Sequence, residues 1–153
     1  EICAYAKDKG KTLYDLLMDI YLEYGFSEEF TINVERPGKS GADEIQQMMR
    51  DFRANPPKDL GGSTVCLWKD YASLEATDAE GNKTKLVMPE TSNVLQWFCT
   101  DGTKVSVRPS GTEPKIKFYL EIKDNMQTAT DFKACRARAY EKIEGIKKSL
   151  GLA

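Results

Sequence analysis

The sequence predicts an α+β fold, an antiparallel sheet with helices packed on one face, preceded by a short helical segment. Three observations carry this expectation. Runs such as Phe30, Ile32, Val34 and Ile116, Phe118, Leu120, Ile122 alternate with the period of a half-buried strand. Hairpin turn residues, Glu80-Gly81-Asn82 and Asp101-Gly102, separate later runs. Two segments with apolar residues at helical spacing interrupt and close the strand series, an order that segregates helices to one side of a sheet.

In chain order, residues 1–9 read as a helix broken at Gly10. Thr12 followed by Asp15 has the spacing of a capping box, with aspartate in the glutamate position. Leu13, Leu16, Leu17, Ile20, Tyr21 and Tyr24 then recur at helical spacing up to Gly25. Two short helices leave a large apolar face uncovered. Residues 1–25 are therefore expected to be the tail of an upstream domain and residues 26–153 the domain proper, in a piece of something longer. The strand at Phe30 to Val34 leads into Arg36-Pro37-Gly38-Lys39-Ser40-Gly41, where Ser40 and Asp43 offer a cap for a helix carrying Ile45, Met48, Met49 and Phe52. Asn55-Pro56-Pro57 ends it, because proline disfavours helix at the residue before. Gly61-Gly62 is a turn. Residues 64–71 read as a buried strand from their apolar run, and short strands follow near 73–77, 84–88, 93–99, 103–107 and 115–122. A last helix carries Phe132, Cys135, Ala139, Ile143, Ile146 and Leu150 on one stripe, with Gly151 behind it.

Composition excludes several classes of function. At 153 residues, 41% hydrophobic and 30% charged, the chain is a globular mix large enough for a core. No apolar run approaches the roughly 20 residues of a bilayer span, and no signal-peptide pattern opens the sequence, so a cytoplasmic protein without a membrane partner is expected. A net charge of -2 argues against non-specific nucleic-acid binding. The cations of the last helix (Lys133, Arg136, Arg138, Lys142, Lys147, Lys148) are interleaved with Asp131, Glu141 and Glu144, which is a solvated face. Cys3, Cys66, Cys99 and Cys135 lack metal-site spacing and read as reduced, mostly buried thiols. With no histidine, zinc sets of the usual kind and serine–histidine or cysteine–histidine pairs cannot form within the chain. Trp68, Trp97 and Phe98 lie in apolar runs and are expected in the core rather than on a stacking platform.

The segment 105–121, VSVRPSGTEPKIKFYLE, carries the chemistry. If Val105, Val107, Ile116 and Phe118 face the core, Arg108 and Lys117 point to the opposite, open face and frame one turn, residues 109–114. Gly111 is free to adopt positive φ, which would let consecutive N–H groups curl into an anion-binding nest. Ser110 and Thr112 add hydroxyls, and Pro109 and Pro114 restrict the chain. Arginine offers a fork matched to phosphate oxygens and lysine a point charge. Glu113 opposes an anion and is expected to turn away and brace Lys115 or Lys117. On these residues alone, a phosphate-binding turn and an ordinary polar hairpin loop both stand. The earlier loop at Gly38 to Ser40 is a poorer candidate for nucleotide: the phosphate-loop pattern needs glycine at 33, where the chain has Asn33, and a turn plus helix cap accounts for it.

The stretch RPSGTEPKIKFY closely resembles the phosphate-binding loop in the last domain of the α-D-phosphohexomutases, the family of phosphoglucomutases and phosphomannomutases. YAKDKGKTLYDLLMDIYLEYG is similar to the end of that family's third domain, and INVERPGKSGADEIQQMMRDFRANPP to the opening of its fourth. The resemblance implies a four-domain enzyme that passes a phosphoryl group from a phosphoserine to a sugar phosphate through a bisphosphate intermediate. The fourth domain grips the phosphate that is not being transferred. It implies that Arg108, Ser110, Gly111, Thr112 and Lys117 form the phosphate site, and that the partners are the phosphosugar, the bisphosphate intermediate and the other domains. The catalytic serine and the Mg2+ loop would lie in those other domains, so this chain is expected to bind no cofactor and to have no mutase activity alone. The implied fold is similar to that of the TATA-box-binding protein, without its nucleic-acid function.

Overall fold

The computed structural model describes residues 1–152, except for the side chain of Lys39, so a nucleotide contact by that lysine lies outside the described residues. The elements are α1 (Ile2–Asp8), α2 (Leu13–Tyr24), β1 (Phe26–Glu35), α3 (Lys39–Ala54), β2 (Asp59–Leu60), β3 (Ser63–Asp70), β4 (Glu75–Asp78), β5 (Lys83–Lys85), β6 (Leu95–Cys99), β7 (Lys104–Pro109), β8 (Lys115–Asp124) and α4 (Phe132–Ser149), the last entered through a 3-10 turn, Ala129–Asp131. Every strand pairing is antiparallel, in the order β1-β8-β7-β6-β3-β4-β5 with β2 beside β3. The α+β arrangement expected from the sequence is the one observed.

Strands β1 and β8 form the longest ladder, from Phe26 opposite Asp124 to Glu35 opposite Lys115. Alternation then decides the faces. Ile116, Phe118, Leu120 and Ile122 of β8, with Val105 and Val107 of β7 and Leu95 and Trp97 of β6, are buried under α3 and α4. The α4 stripe read from the sequence is the buried one: Cys135, Ala139, Ile143, Ile146 and Leu150 all enter the core. Truncating Ile143 to alanine there would cost roughly 2–5 kcal/mol, the usual range for a cavity left by an aliphatic side chain. From α3, Ile45 and Met49 are buried, and Phe52 meets Trp97 and Phe118 edge-on with ring centroids 5.4 and 6.0 Å apart. Among the described residues no helix covers the opposite face of β6, β7 and β8, and that face holds the candidate site.

Several local expectations need correction. Helix α3 begins at Lys39 and its N-cap is Gly38, at φ 89°, with no side-chain cap, so Ser40 falls inside the first turn and Asp43 just beyond it. A close approach sets this start: a Cβ at Gly41 would lie 1.8 Å from the Arg36 carbonyl oxygen. Strand β3 is largely half-buried rather than buried, its open face lacking a helix. Phe98 likewise lies on the open face, beneath the Lys69 ammonium at 4.8 Å from the ring centroid, while Trp97 is in the core as expected. β5 stops at Lys85, pairing with β4 alone at the edge of the sheet. Of the four thiols Cys99 and Cys135 are buried, Cys66 is half-buried and Cys3 is exposed.

The helical segment has the predicted capping box: Thr12 Oγ1 accepts from the Asp15 amide at 3.1 Å, and the Thr12 amide donates to Asp15 at 2.8 Å. Met18 is buried, and Tyr21 packs on Phe26 and Phe132 with centroids 5.1 and 6.1 Å apart. Ile2, Tyr5, Leu13, Tyr14, Ile20 and Tyr24 remain exposed.

Candidate functional site

The β7–β8 register places Arg108 directly opposite Lys117, and Ser106 opposite Tyr119. Because Val107 and Phe118, between these pairs, are buried under the helices, both pairs project from the open face. The sequence expectation for Arg108 and Lys117 is met in placement. On the other side of Lys117, β1 contributes Asn33 in the same row. Together with the turn, Arg108, Lys117 and Tyr119 line a depression of about 390 Å3. Sequence alternation signals that Tyr119 points outward with Lys117. Nothing in the sequence marks Asn33, whose place depends on β1 pairing with a strand more than eighty residues away.

The electrostatics separate two kinds of cation. Lys115 is ion-paired with Glu113, Lys104 with Glu121, and Arg36 with Glu44 at 3.4 Å. Among the described residues Arg108 and Lys117 have no acidic partner. Glu113 turns to Lys115, one of the two braces expected for it. The hydrogen bond and charge of Lys115 hold the Glu113 carboxyl below the usual carboxylate range and push the ammonium up in return. Two cations without an ion-pair partner among the described residues thus stand over an open depression, while the adjacent acid is bonded to Lys115 and feels Lys117 only as a weaker, more distant charge.

The turn differs from the expected nest. Gly111 is not at positive φ, so consecutive amides do not curl inward about it. Ser110 organises the turn instead: its Oγ accepts from the Thr112 and Glu113 amides at 3.4 and 3.3 Å. The Ser110 amide donates to the Lys115 carbonyl at 2.8 Å and closes the hairpin. A local serine oxygen can satisfy these donors without left-handed backbone, which is why glycine's special conformation is not called on. The two Oγ contacts are long and correspondingly weak. The Gly111 amide donates to no protein atom among the described residues. A Cβ at Gly111 would meet nothing within 4 Å, so the chain here opens onto free space.

The turn is braced from behind. The Arg36 amide donates to the Pro114 carbonyl at 2.9 Å, tying the turn to the loop between β1 and α3. Gly38, Ala42, Ile45 and Gln46 line a second depression, of about 360 Å3, on that side. The turn is therefore a wall with the start of α3 behind it and the open sheet face in front. Among the described residues there is no group of three or more Cys, Asp or Glu side chains suited to a metal ion, and no helix is long and apolar enough to cross a membrane.

Residues 32–139, which include the whole of this site, match the family model described as phosphoglucomutase/phosphomannomutase, C-terminal domain. Phosphoglucomutases of Staphylococcus aureus strains N315 and Mu50 are each 36% identical over 114 residues, 74% of this chain and 20% of theirs. That of Staphylococcus haemolyticus strain JCSC1435 is 34% identical over 122 residues, 79% of this chain and 22% of its own. A phosphoglucomutase structure from Paramecium, pp63/parafusin in its open form, covers 96% of this chain with 24% of its own, at 14% identity and a TM-score of 0.48. The chain spans about a fifth of the length of the curated relatives it matches. It belongs to the phosphoglucomutase/phosphomannomutase family, as that family's C-terminal domain.

Proposed function

We propose that the open face at Arg108 and Lys117, with Ser110, Gly111 and Thr112, binds the phosphate of a sugar phosphate and holds it while phosphoryl transfer takes place at the other end of the substrate. The observation that carries this reading is the pair of cross-strand cations that have no acidic partner among the described residues, facing a depression walled by a hydroxyl-bearing turn. Each charge-assisted hydrogen bond from such groups contributes about 1.5–3 kcal/mol. Arg108 supplies a planar fork, Lys117 a movable point charge, and Thr112 a hydroxyl. The Gly111 amide adds a backbone donor. The Thr112 and Glu113 amides become available if a phosphate oxygen displaces Ser110 Oγ from its long contacts.

Residues 26–153 act as the phosphate-gripping domain of a longer mutase. The exposed apolar side chains of α1 and α2 support assigning residues 1–25 to the domain before it. The donor set beside the turn does not suit Mg2+: Glu113 is held by Lys115, and Glu35 lies opposite the same lysine. The metal chemistry and the phosphoserine belong to other parts of the enzyme, and the chain alone turns over no substrate. Holding phosphate through charge and small donors makes no demand on the sugar's identity, as a bisphosphate gripped by either end requires.

The rival reading, an interaction module with an ordinary polar turn, draws on Ser110 already engaging two amides. Titrating the chain with inorganic phosphate and with glucose 1,6-bisphosphate, while following backbone amide shifts, separates the two. Shifts centred on residues 108–117 are expected. Silence there with responses elsewhere would overturn the phosphate reading.

A further inference from the structure

We infer that Tyr119 is a shelf for the sugar ring itself, a second recognition element that rests on the phosphate reading above but contributes nothing to holding phosphate. Tyr119 is 43% exposed, lines the same depression as Arg108 and Lys117, and its phenol makes no hydrogen bond to protein among the described residues. A large aromatic side chain half in water on an uncovered sheet face is available to a ligand. Its position also suits a ring. Tyr119 lies two residues along β8 from Lys117 and diagonally across from Arg108, which puts it roughly 7 Å from either. That is the scale separating a phosphate from the ring that carries it. A phosphate between Arg108 and Lys117 would place its sugar over this side chain.

The neighbourhood of Tyr119 has the polarity a sugar needs. Ser106, directly across the strand pair, accepts a hydrogen bond from Gln96 Nε2 at 3.0 Å. Gln96 Oε1 in turn accepts from the Tyr71 hydroxyl at 2.8 Å, which fixes the amide with its NH2 toward Ser106. The Ser106 proton is then left to donate from the open face. An aromatic surface beside a hydroxyl donor matches a pyranose, whose faces are lined with C–H groups and whose rim carries hydroxyls. Packing on an aromatic face also tolerates a ring presented either way round, which a fixed array of hydrogen bonds does not.

The test compares glucose 6-phosphate with inorganic phosphate on the chain and its Tyr119→Phe and Tyr119→Leu variants, by amide-shift titration. The parent is expected to bind glucose 6-phosphate roughly three- to tenfold more tightly than inorganic phosphate, the range an aromatic contact supplies. Tyr119→Phe should keep that preference and Tyr119→Leu should abolish it, with inorganic phosphate affinity equal in all three. Persistence of the preference in Tyr119→Leu, or a parent with no preference, overturns the shelf and leaves the phosphate site standing. A Tyr119→Leu loss that is equal for both ligands also overturns it. Failure of inorganic phosphate to perturb residues 108–117 overturns the phosphate reading, and the shelf with it.

Discussion

Two glycine-bearing turns of this domain, at residues 59–63 and 110–114, put the same residue type to opposite uses. At the first, Gly61 has φ 62°, and a Cβ there would lie 2.8 Å from the Lys142 carbonyl oxygen; Gly145 in turn approaches the Gly61 Cα, at 3.0 Å from its own hypothetical Cβ. The polar groups around it are engaged: Lys142 with Asp101 and Ser63, the Gly61 amide with Ser149 Oγ at 3.2 Å, and the Gly62 amide with Asp59 at 2.9 Å. At the second, Gly111 is unstrained and uncrowded, and Arg108 and Lys117 have no acidic partner among the described residues. The first glycine lets α4 sit against the turn before β3. The second leaves room for something that is not protein.

The largest effect should come from closing the crowded turn. Gly61→Ala adds a left-handed non-glycine residue, costing about 1–2 kcal/mol, and forces apart two packed backbones, costing about 1–3 kcal/mol more. A loss of roughly 3 kcal/mol should lower Tm by about 6–12 °C in a domain of this size. Thermal melting checks it, and a variant as stable as the parent would mean that the α4 contact yields freely. Arg108→Ala should do the reverse: phosphate affinity falls about ten- to a hundredfold for the loss of one charge-assisted fork, while stability stays within about 0.5 kcal/mol, as for other exposed substitutions. Equal affinity in parent and variant would remove Arg108 from the site.

This contrast also marks what the sequence makes legible. The alternation in β8 and the stripe on α4 specify which residues are buried, because burial follows a period that propensity and pattern share. They also put Arg108 and Lys117 on one face, since once two strands pair as a hairpin their register settles the rest. Turn interiors carry no such period. Ser110 capturing two amides and Gly111 declining positive φ are outcomes of local competition between a hydroxyl and the backbone, with several solutions close in energy. The two-residue strand β2 escapes notice because it is too short to alternate. The crowding at Gly61 depends on α4, some eighty residues distant, and a Gly-Gly pair signals a turn without saying what lies against it.

A smaller effect sharpens the comparison at Gly111. Alanine fits the observed backbone and meets nothing within 4 Å, so Gly111→Ala should leave the fold intact or stabilise it by about 0.4–1 kcal/mol through the unfolded chain. The new methyl would nonetheless stand where a ligand approaches the Gly111 amide. A stability gain with a severalfold loss in phosphate affinity would identify glycine here as a concession to the ligand. A gain in stability with affinity unchanged would place the phosphate away from that amide, towards the strand face.

The smallest expected effect is in pH. Lys115, by hydrogen bond and then by charge, lowers the Glu113 carboxyl from its ordinary value of 4.5. A carboxylate lowered on folding contributes its pairing above the unfolded value and loses it only as pH falls through the lower folded one. Glu113 therefore stays ionised and paired throughout the neutral range, and the acid beside the turn does not titrate while a phosphate ester passes from monoanion to dianion near pH 6. Glucose 6-phosphate affinity, measured by the same amide shifts, should rise severalfold between about pH 5 and pH 7 and then level off. The Gly61 turn, whose amides are engaged by protein groups, should show no ligand-dependent shift at any of these values. Continued strengthening above about pH 7 would overturn the assignment of this pH dependence to the phosphate ester.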